Sequence, residues 1–170
     1  MPPRSLRLYL SASIANGPLN ARLAEQLERA GAELVLPQDF APDVPHAHLP
    51  RAIYQRCIDE MERCDAGLLL LDAYGIDCAF EAGWFAARGK PLVGLAQANL
   101  RFLQNWMVKG VLTGVATSSP TVAEALRRDP MLASISLLEA ESERAMVAAL
   151  PAFVRSLGPP GDDLVAPTGS

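Results

Sequence analysis

Short apolar runs alternate with amphipathic segments along this chain, and this alternation limits the folds that it can adopt. Five runs rich in strand-forming residues predict β-strands, at 6–10, 33–36, 66–71, 91–95 and 111–117. The runs are mostly continuous rather than alternating, which is typical of parallel strands that are buried on both faces. Helical periodicity predicts helices between and after them, at 19–30, 52–63, 77–88, 121–128 and 139–157. The pattern predicts an α/β fold of flavodoxin-like type, a doubly wound five-stranded parallel sheet with helices on both faces.

The length of 170 residues predicts one domain, which we place at residues 1–157. Residues 158–170 contain prolines, glycines and acids without apolar periodicity, so this tail is predicted to be disordered. Prolines at 42, 45 and 50 predict a long loop over residues 39–50.

Composition excludes several classes of protein. The chain has 15 lysines and arginines against 19 acids and a net charge of −4, which argues against nucleic acid as a partner. No apolar run reaches the length of about 18 residues that a membrane span needs, so no membrane association is expected. Cys57, Cys64 and Cys78 form no CxxC pair, and we expect reduced thiols in a cytoplasmic protein.

The fold class predicts where a ligand binds. In doubly wound sheets, ligands lie outside the carboxyl ends of the strands, where the strand order switches. The segments that follow the predicted strands are 11–17, 38–40, 72–77 and the chain from residue 96 onward. These segments are therefore the candidate site.

Glu81 is the only polar side chain between Cys78 and Ala87. Because a helix that is apolar on every side is normally buried, this carboxylate is expected within or at the edge of the core. Burial of an unpaired carboxylate is costly, and the group suits a nucleophile or general base. The alternatives are a structural salt bridge to Arg88 or Lys90 and a position that faces solvent.

Two further acids lie near Glu81 in the sequence. Asp72 ends the third apolar run, where it is well placed for ligand contact, and Asp77 stands at the predicted start of the helix. Asp77 is favoured as the N-cap of that helix, with ligand contact as the alternative. The three acids also resemble a metal site, but no histidine joins them at ligand spacing, and we predict no metal.

Five motifs resemble those of the nucleoside 2-deoxyribosyltransferase family. The stretch AFEAGWFAARGKPLVGL at 79–95 is similar to the family signature AFExGxAxxxGKP. LRLYLSAS at 6–13 resembles the first strand and loop of the family, and VLPQDF at 35–40 resembles its PQxD segment. CDAGLLLLD at 64–72 and NLRFLQNWMVKG at 99–110 are similar to the third strand and to the asparagine-methionine segment. The matches follow in order over residues 6–116.

The resemblance implies roles for individual residues. Glu81 corresponds to the nucleophile that attacks the anomeric carbon of a 2-deoxynucleoside, and Tyr9 to the tyrosine that orients it. Asn105 corresponds to an asparagine given by a neighbouring subunit, which implies a homo-oligomer with shared active sites. The substrate-binding positions that it implies or leaves as candidates are Ser11, Ser13, Gln38, Asp39, Asp77, Asn105 and Met107. No cofactor is required.

The sequence departs from the family at one functional position. Transferases of the family commonly carry an aspartate six residues before the nucleophile, and Gly75 occupies that place here. Asp72 or Asp77 then supplies the missing carboxyl, or the reaction differs. The favoured function is transfer of deoxyribose from one base to another through a covalent glutamyl intermediate. The alternatives are a nucleoside or nucleoside 5′-monophosphate N-glycosidase and a non-catalytic nucleotide-binding module.

Overall fold

A computed structural model describes residues 5–157, and its centre is a parallel β-sheet. Among the described residues the sheet has six strands in the order β2-β1-β3-β4-β5-β6. The strands are β1 (Leu6–Ser11), β2 (Ala32–Val35), β3 (Ala66–Leu70), β4 (Leu92–Leu95), β5 (Gly114–Thr117) and β6 (Ser136–Glu139). The predicted doubly wound, flavodoxin-like α/β fold is confirmed, with one strand more than expected.

Helices cover both faces of the sheet. They are α1 (Gly17–Arg29), α2 (Leu49–Arg63), α3 (Ile76–Ala87), α4 (Trp106–Val111), α5 (Pro120–Arg128) and α6 (Glu143–Ser156). Helices α1 and α6 pack against one face, and α2 to α5 contribute to the apolar core on the other. Within residues 5–157, no helix has both the length and the apolarity needed to cross a membrane.

One strand was missed and two predicted boundaries were wrong, each for a local reason. The sixth strand was missed because Ser136–Glu139 is a short, partly exposed edge strand with a weak apolar pattern. The predicted fifth strand loses its first three residues, because the chain is helical up to Val111. The predicted last helix begins later, at Glu143, where the Ser142 hydroxyl caps it by accepting a hydrogen bond from the Ala145 amide.

The proposed loop at 39–50 is shorter than predicted, because α2 already begins at Leu49. Pro50 stands in the first turn of that helix, where its missing N–H costs no hydrogen bond. Two short 3-10 helices, Pro37–Asp39 and His46–His48, lie in and beside the remaining loop. The predicted disordered tail, 158–170, lies outside the described residues.

The strand order places a crevice beside β1. The chain leaves β1 for β2 on one side and returns to β3 on the other side, so the winding reverses between β1 and β3. Tyr9 of β1 pairs with Gly67 of β3, and a Cβ at Gly67 would lie 2.9 Å from the Phe85 ring of α3. Glycine at this position therefore lets α3 pack closely on the sheet, with its first turns at the switch point.

Candidate active site

Helix α3 turns one apolar face to the sheet and another to solvent. Its buried residues, Cys78, Glu81, Ala82 and Phe85, recur with helical spacing on one side. Ile76 and Phe80 are instead 91% and 52% exposed. The expectation that this helix is buried on every side was therefore wrong, although the predicted burial of Glu81 is correct, since only 8% of it is exposed.

Two hydroxyl groups of β1 hold the Glu81 carboxylate. The Tyr9 hydroxyl donates to Oε1 at 2.7 Å, and the Ser11 hydroxyl donates to Oε2 at 2.6 Å. Tyr9 and Ser11 are fully buried, and both lie at the carboxyl end of β1. Each carboxylate oxygen therefore has one short, uncharged donor, and its orientation is fixed from the sheet.

The surroundings of Glu81 favour the protonated form of its carboxyl more than bulk water does. Burial raises the pKa of the Glu81 carboxyl above its ordinary value, and the hydrogen bonds from Ser11 and Tyr9 oppose that shift. The nearby charge of Asp77 raises it further. Burial and the Glu81 charge together raise the pKa of the Tyr9 hydroxyl, which therefore stays protonated and donates.

Two thiols lie behind these hydroxyl groups. Cys78 of α3 belongs to the same apolar cluster as Tyr9, and Cys57 of α2 packs against that cluster. Burial raises the pKa of both thiols. All three cysteines are free thiols, as predicted.

Arg88 and Lys90, the predicted alternative partners of Glu81, are engaged elsewhere. The Lys90 ammonium donates to the carbonyls of Met61, Glu62 and Cys64 at 3.0, 2.6 and 2.8 Å, which caps the end of α2. Arg88 lies over the Trp84 ring and 3.8 Å from the Glu62 carboxylate. Among the described residues, no ion pair includes Glu81.

Asp77 lies in the first turn of α3, so the expectation that it caps the helix was wrong. The cap position is occupied by Gly75. Asp77 is exposed and stands one turn before Glu81, near enough to influence its charge. The Asp77 carboxylate is therefore open to solvent beside the crevice.

Asp72 has a different set of partners. Its carboxylate accepts backbone hydrogen bonds from Gln97, Ala98 and Asn99 at 2.8, 3.0 and 2.7 Å. The side-chain amide of Asn99 donates in return to the backbone carbonyl of Asp72. Asp72 thus ties the loop after β3 to the loop after β4, and three amide donors occupy its carboxylate.

Asn105 and Met107 line a cleft of about 670 Å³ together with Asp72 and Tyr74. The Asn105 side chain caps α4 by accepting from the Val108 amide, and it donates to the Tyr74 hydroxyl at 3.2 Å. Met107 is largely exposed, as is its neighbour Trp106. This part of the predicted site therefore has an open, apolar rim.

The remaining predicted residues lie around the start of α1. The Ser13 hydroxyl accepts from the Ala15 amide and caps a short 3-10 turn. The Gln38 side chain accepts from Asn20 at 2.8 Å and donates to the Gly17 carbonyl. Asp39 is exposed. Ser13 and Gln38 thus shape the loop next to β1, whereas Tyr9, Ser11 and Glu81 are the residues that contact one another.

Sequence reasoning did not place the two thiols beside the site, where they pack in the apolar cluster that contains Tyr9. Cys78 precedes Glu81 by three residues, a spacing that places both on one helix face, so the signal was present. Cys57 comes from a different helix, and no local pattern links it to Tyr9. Within residues 5–157, no group of three His, Cys, Asp or Glu side chains is arranged to hold a metal ion.

Comparisons with solved structures identify the same architecture in other proteins. A 2-deoxyribosyltransferase from Bacillus psychrosaccharolyticus matches with a TM-score of 0.51 and 16% identity, over 64% of this chain and 84% of that one. A conserved protein from Enterococcus faecalis V583 matches with 0.56 and 17%, over 88% and 99%. The Clostridium botulinum CMP N-glycosidase BcmB matches with 0.50 and 16%, over 85% and 98%. At these identities the likeness shows the fold alone.

Sequence comparison is more specific. No curated protein matches the chain significantly. The model of the family described as nucleoside 2-deoxyribosyltransferase matches residues 8–133, which include Tyr9, Ser11 and Glu81. The match spans most of the chain and includes β1 and β3, between which the winding of the sheet reverses. The chain therefore belongs to the nucleoside 2-deoxyribosyltransferase family.

Proposed function

We propose that this protein cleaves the N-glycosidic bond of a 2-deoxynucleoside with Glu81 as the nucleophile and transfers the sugar to a second base. The observation that carries the proposal is the buried Glu81 carboxylate, held by two uncharged hydroxyl donors at 2.7 and 2.6 Å. A cation in their place would neutralise the carboxylate. Hydroxyl groups orient the carboxylate while leaving its charge available to an anomeric carbon that becomes positive.

The reaction divides into two steps at Glu81. One carboxylate oxygen forms a bond to the anomeric carbon, and the base departs with the electron pair of the N-glycosidic bond and takes up a proton. An N–H nitrogen of the second base then attacks the same carbon and releases its proton, which breaks the ester, restores the carboxylate and balances the proton taken up in the first step. The raised pKa of Glu81 increases its nucleophilicity, and Tyr9 and Ser11 hold it in place for both steps.

We further propose that the carboxyl group of Asp77, rather than that of Asp72, contacts the departing base. Three backbone amides already occupy the Asp72 carboxylate, whereas Asp77 is exposed one turn from Glu81. Asp72 then supports the site indirectly, because it joins the loops that follow β3 and β4.

Hydrolysis is the second candidate, and one feature favours it. Gly75 occupies the place of the aspartate that family transferases commonly use toward the base. Without that carboxyl a free base is held less firmly, and water becomes a competing acceptor. The same Glu81 ester would then release free sugar.

One incubation separates these functions. The protein is mixed with each 2-deoxynucleoside, with and without a second free base, and the products are separated by liquid chromatography. A new nucleoside supports transfer, and free deoxyribose in both mixtures supports hydrolysis. Binding without either product would overturn both proposals and leave a nucleotide-binding module. Parallel reactions with 5′-monophosphates test the phosphate requirement.

A trapping experiment tests the nucleophile itself. A slow 2-fluoro-2-deoxynucleoside should add one fluorodeoxyribosyl unit to the peptide that contains Glu81, as measured by mass spectrometry. The Glu81→Gln variant is the control and should remain unmodified. Addition at another residue would reject Glu81 as the nucleophile.

Sharing of the site between subunits remains a proposal. Both ends of the Asn105 amide have partners in their own chain, so a role toward the sugar of a neighbouring subunit requires the Tyr74 bond to open. Sedimentation measurements at falling concentration, with activity assayed alongside, test this. Full activity in a monomer would contradict it.

A further inference from the structure

We propose that Tyr54 and Phe80 form a stacking platform for the base of the nucleoside, and that the preferred base is a purine. The inference rests on the proposed function, because it assigns the place of the base beside Glu81. The ring of Tyr54, from α2, lies next to the ring of Phe80, from α3, with the centroids 6.1 Å apart and the planes tilted by 51°. We call these two side chains the aromatic pair.

Tyr54 continues the core-facing side of α2 beyond the edge of the core. Cys57, Ile58 and Met61 follow it with helical spacing, and all three belong to or pack against the apolar cluster that contains Tyr9. Tyr54 lies on the same side of the helix but nearer its start, and 53% of it is exposed. A large side chain that faces inward and stays exposed lies over an open crevice rather than over packed core.

Phe80 brings the second ring to the same place from the neighbouring helix. It directly precedes Glu81 in α3, and 52% of it is exposed. Both helices begin at the carboxyl edge of the parallel sheet, and the aromatic pair lies in the early turns of both. The pair therefore stands at the rim of the crevice, beside the proposed nucleophile.

Two other aromatic rings that pack on this face of the sheet are already covered by cations. The Arg56 guanidinium lies 5.6 Å from the centre of the Phe40 ring. Arg88 and Lys90 lie 5.4 and 5.6 Å from the centre of the Trp84 ring. Within residues 5–157, no cation lies over either ring of the aromatic pair. Its ring faces are therefore available to a planar ligand.

A nucleoside base has the chemistry that such a pair binds. Bases present a flat π-surface that stacks on aromatic side chains. Tilted rings offer the face of one ring and the edge of the other, and both are favoured contacts between aromatic groups. Because the centroids are 6.1 Å apart, the two fused rings of a purine contact both side chains, whereas the single ring of a pyrimidine contacts one.

The position of the pair agrees with the proposed chemistry at Glu81. The anomeric carbon that Glu81 attacks carries the base, so a bound base must lie close to this carboxylate. Asp77, which we propose contacts the departing base, lies about one turn before Phe80 on α3. A carboxyl at the edge of the base and a ring against its face together fix the orientation of the glycosidic bond. This continuity, with the inward direction of Tyr54, favours a base over a second copy of the chain as the occupant.

The test measures binding without turnover. The probe is 2-aminopurine 2′-deoxyriboside, whose fluorescence is quenched when its base stacks on an aromatic ring, and it is titrated into Glu81→Gln so that it is not cleaved. The bound probe should be quenched. Tyr54→Leu and Phe80→Leu, each added to Glu81→Gln, should weaken binding about 10-fold and relieve the quenching, because one ring is lost. Tyr54→Phe keeps the ring and should bind within about twofold of its parent.

Trp84→Leu is the matched control. It removes an aromatic ring from the same helix, one turn further on, where two cations already lie over the ring. It should lower stability and leave the affinity and the quenching of the probe unchanged. Equal losses of affinity in Trp84→Leu and Phe80→Leu would overturn the platform, as would equal losses in Tyr54→Phe and Tyr54→Leu. A probe that stays unquenched, or that does not bind at all, would overturn it too.

Two further comparisons test the identity of the occupant. 2′-Deoxyadenosine should bind more tightly than 2′-deoxycytidine, and the difference should shrink in Phe80→Leu; equal or tighter binding of the pyrimidine would overturn the purine assignment. Sedimentation tests a second copy of the chain as the occupant of this exposed apolar face. If replacement of Phe80 or of its exposed neighbour Ile76 dissociates an oligomer while probe binding stays unchanged, the face is an interface and the platform is rejected.

Failure of this proposal and failure of the proposed function give different results. Probe binding is measured in Glu81→Gln, in which no sugar transfer takes place. Absence of turnover in the wild-type protein, with a quenched probe that depends on both rings, rejects the function alone. Turnover in the wild-type protein, with a probe that binds equally to both leucine variants, rejects the platform alone.

Discussion

Two glutamates are buried among residues 5–157, and their partners differ in charge. Glu60 and Glu81 are 2% and 8% exposed. Glu60 is surrounded by guanidinium groups, with Arg7 at 2.7 Å, Arg56 at 2.8 Å and Arg63 at 3.3 Å. Among the described residues, the hydrogen-bond donors to Glu81 are the hydroxyl groups of Tyr9 and Ser11.

The arginines around Glu60 connect secondary structure elements. Arg7 of β1 also lies 2.9 Å from Glu33 of β2, so one guanidinium joins two strands and helix α2. Arg56 and Arg63 lie one turn to either side of Glu60 on the same helix. The cluster neutralises the carboxylate and fixes α2 on the sheet.

The difference shows how a fold separates structural from reactive carboxylates. A carboxylate paired with cations is balanced in charge and contributes to the folded state, although its partners must remain in place. A carboxylate held only by neutral donors keeps its negative charge, which lowers the stability of the folded state. A nucleophile can use that charge in the reaction. The same residue type therefore predicts opposite mutational effects at these two positions.

The largest effect is expected for Glu81→Gln on turnover. The amide cannot form the glycosyl ester, so kcat should fall by about 10⁴-fold or more. Stability should be unchanged or slightly higher, because an uncharged group is cheaper to bury. Product formation by chromatography and thermal unfolding measure the two quantities. Turnover within tenfold of wild type would remove Glu81 from the mechanism.

Glu60→Gln should show the reverse profile. Loss of the charge removes the carboxylate that three guanidinium groups share, and we expect the free energy of unfolding to fall by about 3 kcal/mol. This is the low end for a buried ion pair, because the arginines stay partly solvated. Urea unfolding measures the loss. Glu62→Gln, at an exposed carboxylate, is the control, and a fall in kcat of folded Glu60→Gln similar to that of Glu81→Gln would contradict the comparison.

Tyr9→Phe should have an intermediate effect on turnover. One charge-assisted hydrogen bond to Glu81 is lost, so kcat should fall about 10- to 100-fold. The pKa of Glu81 should rise, which moves the acid limb of the kcat/KM profile to higher pH. Steady-state kinetics across pH check both, and an unchanged profile would show that Tyr9 packs beside Glu81 without tuning it.

The smallest effect concerns stability against pH. The pKa of Glu81 is higher in the folded protein than the ordinary value of 4.5, so the folded state binds more protons than the unfolded state between these two values. Wild type should therefore lose stability relative to Glu81→Gln as the pH rises through this window. Paired urea titrations at several pH values measure the gap, and a gap that narrows with rising pH would contradict the sign.

Sequence periodicity predicted the sheet and most of its helices because parallel strands and amphipathic helices follow local rules. It failed where local rules are weak, at the edge strand β6 and at the six-residue helix α4. Burial of Glu81 was predicted from the apolar residues around it. The exposed outer face with Ile76 and Phe80 was not, because apolar residues on both faces of a helix do not show which face meets the sheet.

The sequence by itself determined the fold class, the family motifs and the choice of Glu81 as the central carboxylate. These depend on residues that are neighbours in the chain or that repeat with the period of a helix or strand. The family resemblance implied that Tyr9 orients that carboxylate, but only the tertiary structure decided which two groups contact it. Tyr9 and Ser11 lie 72 and 70 residues from Glu81 in the sequence. The packing of α3 beside β1 brings them together, and no local pattern specifies contacts at that separation.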